Sequence, residues 1–112
     1  MKISTTALYY SSEDTLENAI RFCAEAGFDA LDLNTTTILN KGDEWERTLD
    51  SALKTADDNN IHFEYTHLPF NYPKENTPEN WDRFNSSMRR AIDIAAVAQI
   101  KWAVIHPRTY DK

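Results

Sequence analysis

A parallel α/β fold is the class this sequence predicts, and three observations predict it. Short apolar or β-branched runs alternate with longer stretches in which apolar residues recur every three or four positions. The runs come at regular intervals, and each helical stretch passes through a short turn into the next run. Strand and helix alternate until a fourth strand, an order that right-handed crossovers turn into a parallel sheet.

Residues 2–8 (Lys2-Ile3-Ser4-Thr5-Thr6-Ala7-Leu8) read as the first strand and run out at Tyr9-Tyr10-Ser11-Ser12. Ser11 or Ser12 is placed to cap a helix with Glu13 and Asp14 in its first turn. Leu16, Ala19, Ile20, Cys23 and Ala24 then fall on one face, and Gly27 supplies a left-handed stop. Phe28 to Asn34 reads as the second strand and Thr35 to Gly42 as a polar connection. Asp43 and Glu46 have capping-box spacing for a second helix, with Trp45, Leu49, Ala52, Leu53 and Ala56 as its apolar face. Asn59-Asn60 ends it, because Asn tolerates the left-handed conformation. Ile61 to Tyr65 is the third strand, opening into Thr66-His67-Leu68-Pro69-Phe70-Asn71-Tyr72-Pro73, a loop of a length that often carries function. Thr77-Pro78-Glu79 starts the longest helix, with Trp81, Phe84, Met88, Ala91, Ile92, Ala95 and Ala96 as its buried face. Trp102 to Ile105 is the fourth strand, ended by His106-Pro107.

Composition narrows the function. The 112 residues amount to one small domain or a piece of one, and 12 Lys+Arg against 18 Asp+Glu give a net charge of −6. Phosphate binding wants clustered cations, so nucleic acid is not the expected partner. No apolar run approaches the roughly 20 residues that cross a bilayer. The opening residues lack the pattern of a signal peptide, so a cytoplasmic protein is expected. A lone cysteine, Cys23, leaves no intramolecular disulfide or Cys-based zinc cluster and reads as a small buried hydrophobe. Gly27 and Gly42 are the only glycines, so there is no phosphate-cradling loop, and no Gly-x-Ser-x-Gly elbow occurs.

Ligands of parallel sheets and barrels meet the C-terminal ends of the strands. The strands deliver Tyr9 and Tyr10, Asn34 and Thr35, Thr66 and His67, and His106 and Arg108 to that end. His67 and His106 each follow an apolar strand and sit near a proline that restrains the backbone. That placement suits either a metal ligand or a group that hydrogen-bonds a sugar hydroxyl. Tyr9, Asn34, His67 and His106 are the candidate substrate-binding residues, and His67 and His106 the candidate metal ligands. Asp32, between Leu31 and Leu33 in mid-strand, needs a partner: it either lines a polar barrel interior or caps a neighbouring loop. Period two sets His62 and Glu64 opposite Phe63 and Tyr65, which gives His62 a structural role. Trp45, Trp81 and Trp102 are expected to pack between helices and sheet.

The succession Ile3 to Leu8, then Ala26-Gly27-Phe28-Asp29-Ala30-Leu31-Asp32-Leu33, Tyr65-Thr66-His67-Leu68-Pro69 and Trp102-Ala103-Val104-Ile105-His106-Pro107 resembles the first half of the xylose-isomerase-like TIM barrels. That superfamily holds sugar-phosphate isomerases and epimerases and the apurinic endonucleases. Two positions depart from the pattern: Asp32 stands where the second strand often carries Glu, and Arg108 where Gly often follows His-Pro. The resemblance implies a (βα)₈ barrel and a divalent metal (Mn, Mg, Co or Zn). It implies isomerase or epimerase chemistry, in which paired carboxylates shuttle a proton through a metal-stabilised enediolate. In the sugar branch those carboxylates and the metal ligands come from the second half of the barrel. In the endonuclease branch the third- and fourth-strand histidines are metal ligands, here His67 and His106, and the acidic balance disfavours that branch.

A barrel of this kind takes about 250 residues, so 112 account for its N-terminal half, four strands alternating with three helices and beginning and ending on a strand. The expectation is therefore the N-terminal half of a longer enzyme, or a half-barrel that pairs with itself, since open sheet edges have to be covered. On this reading the stretch alone is not catalytically competent. A non-catalytic half-barrel that binds a partner chain is the alternative, and a metal-dependent phosphodiesterase a more distant one.

Overall fold

The computed structural model of the chain describes residues 2–8 and 14–107. Four strands, β1 (Ser4–Thr6), β2 (Ala30–Asn34), β3 (His62–His67) and β4 (Trp102–Val104), form one parallel sheet in the order β1-β2-β3-β4. Strand order equal to chain order means that every crossover steps the same way. That is the winding of a barrel, whereas a doubly wound sheet would place β1 inside. The sheet is open: among the described residues β1 and β4 have one strand neighbour each.

The long helices are α1 (Leu16–Glu25), α3 (Trp45–Asp58) and α4 (Pro78–Val97), with a short α2 (Thr35–Leu39) after β2. Thr15 caps α1, its hydroxyl oxygen accepting from the Asn18 amide at 3.2 Å. Ser11 and Ser12, expected as caps, lie outside the described residues, and the first helical turn holds Glu17. The polar connection after β2 is partly helical. Asn34 caps it by accepting from the Thr36 amide at 3.1 Å, while Thr35 and Ile38 are fully buried, so packing overrides the weak helix propensity of three threonines. The capping box at Asp43 does not form. Gly42–Glu44 make a 3₁₀ turn, Gly42 has φ +56°, and α3 begins at Trp45 without a side-chain cap. Thr77 caps α4 with Pro78 in its first turn, as the sequence predicts.

Each long helix ends in the same way. The amides of Gly27, Asn60 and Gln99 bond back to Ala24, Asp57 and Ala96, and those of Phe28, Ile61 and Ile100 to Cys23, Ala56 and Ala95. This is the Schellman pattern. Its left-handed residue is Gly27 (φ +90°), Asn60 (+55°) and Gln99 (+57°) in turn, and the apolar residue after it feeds the next strand. Gln99 is the poorest of the three for that conformation, which costs a side-chain-bearing residue about 1–2 kcal/mol. Gln99→Gly is therefore expected to stabilise the chain by about 1 kcal/mol, seen as a rise of about 4–8 °C in thermal midpoint. A fall would show that the Gln99 side chain contributes more than its backbone conformation costs.

Strand neighbours in register share a face. Leu31 and Leu33 of β2 and Phe63 of β3 join Ile20, Leu49 and Ile94 in the core beneath the helices. On the opposite face one row holds Thr6, Asp32, Tyr65 and Trp102, and the next holds Asn34, His67 and Val104. A bulge makes this arrangement. The register jumps from Leu31 opposite Phe63 to Asp32 opposite Tyr65, leaving Glu64 unopposed, so Phe63 and Tyr65 point to different faces. Period two alone placed them together, and the structure corrects it: Phe63 is buried and Tyr65 exposed. His62 is exposed, 3.9 Å from Glu64.

Other packing expectations divide. Leu49, Ala52 and Ala56 of α3 are buried, and so is Cys23, whose thiol burial pushes above its ordinary pKa. On α4 the buried residues are Ala91, Ile94 and Ala95, while Ile92 is half exposed. Trp45 lies under the Arg90 guanidinium, 5.0 Å from the ring centre. Trp102 does not pack between helix and sheet, being 64% exposed on the open face. No helix among the described residues is long and apolar enough to cross a membrane.

Candidate functional site

At the C-terminal ends of β2 and β3 the open face carries an aspartate and a histidine in direct contact. His67 Nδ1 lies 2.6 Å from Asp32 Oδ2, a short, charge-assisted geometry. The bulge puts Asp32 two residues before Asn34, the register partner of His67, and on the same face, so the carboxylate reaches diagonally to the ring. With Nδ1 engaged by the carboxylate, the ring orientation and tautomer are set and Nε2 is left for a ligand. The backbone beneath is tied across strands: the Thr66 hydroxyl donates to the Leu33 carbonyl at 2.8 Å and the Thr35 hydroxyl to the His67 carbonyl at 2.7 Å. Asp32 thus lines the open face; it does not cap a loop. Its other oxygen, Oδ1, is buried and has no hydrogen-bond partner among the described residues. Such an atom carries a desolvation penalty of about 1–3 kcal/mol.

His106 joins this pair. The Leu68 amide donates to the Val104 carbonyl at 3.1 Å, continuing the β3–β4 ladder past the strand ends, and the His67 and His106 ring centres stand 5.5 Å apart. Phe70 stacks on the His106 ring at 4.6 Å, and the Tyr72 hydroxyl donates to the His106 carbonyl at 2.6 Å. Tyr72 in turn packs on Phe84 of α4, which meets Trp81 edge-on. The long proline-bounded loop therefore holds His106 by its backbone and its ring, anchored on the longest helix. A cleft of about 460 Å³ lies beside it, lined by Leu39, Pro69, Asn71, Asn80, Arg83 and Phe84 among others, and its lining includes neither histidine.

Of the residues singled out from sequence, His67 and His106 come together. Asn34 lies in the same row as His67, with its side-chain oxygen engaged as the α2 cap. Tyr9, Tyr10 and Arg108 lie outside the described residues. Asp32 belongs in the site, and the signal for it was present: a carboxylate inside an apolar parallel strand. Phe70 and Tyr72 carried no comparable signal, because an aromatic residue in a loop has no period to betray its target. Among the described residues no group of three or more His, Cys, Asp or Glu is placed to hold a metal ion. His67 and His106 could supply two imidazoles. They do not complete the metal site that the resemblance implies.

No family model and no curated protein matches the sequence. Among solved structures, a xylose isomerase domain protein from Alicyclobacillus acidocaldarius subsp. acidocaldarius superposes on 91% of this chain with a TM-score of 0.63. The chain has the fold of one part of a xylose isomerase domain. It spans 35% of the length of that structure, and at 11% identity the likeness is one of fold. The parallel, sequentially wound half-barrel expected from the sequence is thus the architecture found.

Proposed function

We propose that this chain supplies the first four strands, and the helices between them, of a barrel that isomerises or epimerises a sugar or sugar phosphate. The observation that carries the reading is the Asp32–His67 pair with the ring of His106 beside it, set at the strand ends where barrels bind substrate. Paired this way, His67 can accept from a substrate hydroxyl through Nε2, while Asp32 fixes the orientation of the ring. His106, fixed by Phe70 and Tyr72, brings a second imidazole to the same mouth. These groups bind and orient a polyhydroxylated ligand, and a carbonyl compound so held presents its α-carbon proton to a base. The acid and base come from outside this half-barrel, on the half of the lumen that its four strands leave open. Where a divalent metal is bound instead, His67 Nε2 and His106 would serve as two of its ligands in place of the hydroxyl contact, with the others from outside.

The test is solvent exchange. The assembled protein is incubated in deuterated water with aldoses, ketoses and their phosphates, with and without Mn²⁺ or Mg²⁺, and deuterium at the carbon beside the carbonyl is followed by NMR. Incorporation into at least one sugar, lost in His67→Ala, is expected. Absence of exchange throughout the panel overturns the reading.

A further inference from the structure

The cleft beside the histidines is built entirely from the middle of the chain, its lining running from Thr36 to Ser87. One wall is α2, a second is the loop after β3, and a third is the first turns of α4. On α4 the lining residues Asn80, Arg83, Phe84 and Ser87 recur three or four positions apart, so they share one helix face. That wall is firmly held. Phe84 packs on Tyr72 at 4.8 Å and meets Trp81 edge-on, while the Trp81 indole donates to the Asn76 side chain at 2.7 Å and the Asn80 side-chain amide to the Glu75 carbonyl at 3.2 Å. The loop is thereby pinned to the helix. A cleft of about 460 Å³ that is formed before anything enters it has the size of a small-molecule site and binds without first ordering its walls.

Its charge runs against that of the chain. Acids outnumber bases by 18 to 12 in the sequence, yet Lys74 and Arg83 face one carboxylate, Glu75, in this lining. Neither cation stands in an ion pair among the described residues. Thr36, Asn71 and Ser87 add polar side chains that make no hydrogen bond among the described residues. Such a set of donors suits an oxyanion. A guanidinium offers a fork of N–H groups and an ammonium three more, and a phosphate group has three terminal oxygens to accept them where a carboxylate has two. Leu39, Pro69 and Phe84 give the same cleft an apolar wall, which an inorganic ion would leave unused.

We infer that this cleft is a binding site for a small phosphate monoester, with the phosphate held by Lys74 and Arg83 and the organic part laid against Leu39 and Phe84. The site is distinct from the barrel mouth, since neither Asp32 nor His67 nor His106 lines it. It therefore stands apart from the isomerase reading, and the failure of either leaves the other intact.

Calorimetric titration with phenyl phosphate at low ionic strength, joined to NMR of the isotopically labelled protein, tests it. Saturable binding with a dissociation constant of about 1 mM or tighter is expected. Amide shifts are expected to cluster at residues 36–40, 69–75 and 80–87, and affinity to fall as salt is added. Arg83→Gln and Lys74→Gln should each weaken binding about 10-fold or more, the loss of a charge-assisted hydrogen bond. Their thermal midpoints should not move, because both side chains are exposed and unpaired among the described residues. Lys54→Gln, on α3 outside the cleft, and His67→Ala should both bind phenyl phosphate as the unaltered protein does. The inference is overturned by the absence of saturable binding, by full affinity in Arg83→Gln or Lys74→Gln, by loss of binding in His67→Ala, or by benzoate binding as tightly as phenyl phosphate.

Discussion

Asp32→Asn is expected to lower turnover by the assembled protein about 10- to 100-fold, the effect typical of losing a carboxylate that orients a functional histidine. The side chain keeps its size, so the loss is electronic and geometric. Asp32 Oδ2 holds the His67 proton on Nδ1 at 2.6 Å, whereas the amide group of the variant can donate to Nδ1 and drive the proton to Nε2, the wrong atom for a ligand on the open side. Nitrogen NMR of the imidazole checks this directly. Wild type is expected to show a protonated Nδ1 and a bare Nε2, and Asp32→Asn a mixed or inverted pattern. Asp32→Ala is expected to cost as much turnover as Asp32→Asn, and neither should add to the loss from His67→Ala, since the two residues act as one unit. The thermal midpoint is expected to hold within a few degrees, because the carboxylate already buries an oxygen with no partner among the described residues and the ring is only half-buried. An unchanged tautomer with full turnover would reduce Asp32 to a filler of the sheet face.

The fold was more legible than the site, for reasons visible in individual residues. Helical periodicity is a long-range pattern, so the Leu16–Cys23 and Leu49–Ala56 faces could be read directly and are buried as expected. Left-handed stops were readable where the residue advertises itself, as Gly27 and Asn60 do, and invisible at Gln99, where the geometry is imposed by the helix end. A bulge has no such signature: nothing in Phe63-Glu64-Tyr65 says that Glu64 will go unopposed, and the face assignment of Tyr65 failed for that reason. His67 and His106 could be found because a strand end in a parallel sheet is a privileged position. Their supports could not, because the contacts of Phe70, Tyr72 and Phe84 depend on how a loop folds back over α4. The exposure of Trp102 went against a sound compositional rule, because the ring lies on the open face of the sheet, away from the helices.

Leu31→Ala carries the largest expected effect on stability. Leu31 is 0% exposed in a central strand, on the helix-covered face with Leu33 and Phe63, so truncation opens a cavity where sheet and helices meet. Such replacements cost about 2–5 kcal/mol, against a total of about 5–15 kcal/mol for a small domain. A fall of about 10–25 °C in thermal midpoint is expected, measured by circular dichroism. The informative contrast is with Trp102→Ala. Trp102 is 64% exposed on the open face, so its truncation removes little buried area and is expected to leave the midpoint within a few degrees. A loss from Trp102→Ala as large as that from Leu31→Ala would mean that the ring supports the fold of the chain in spite of its exposure.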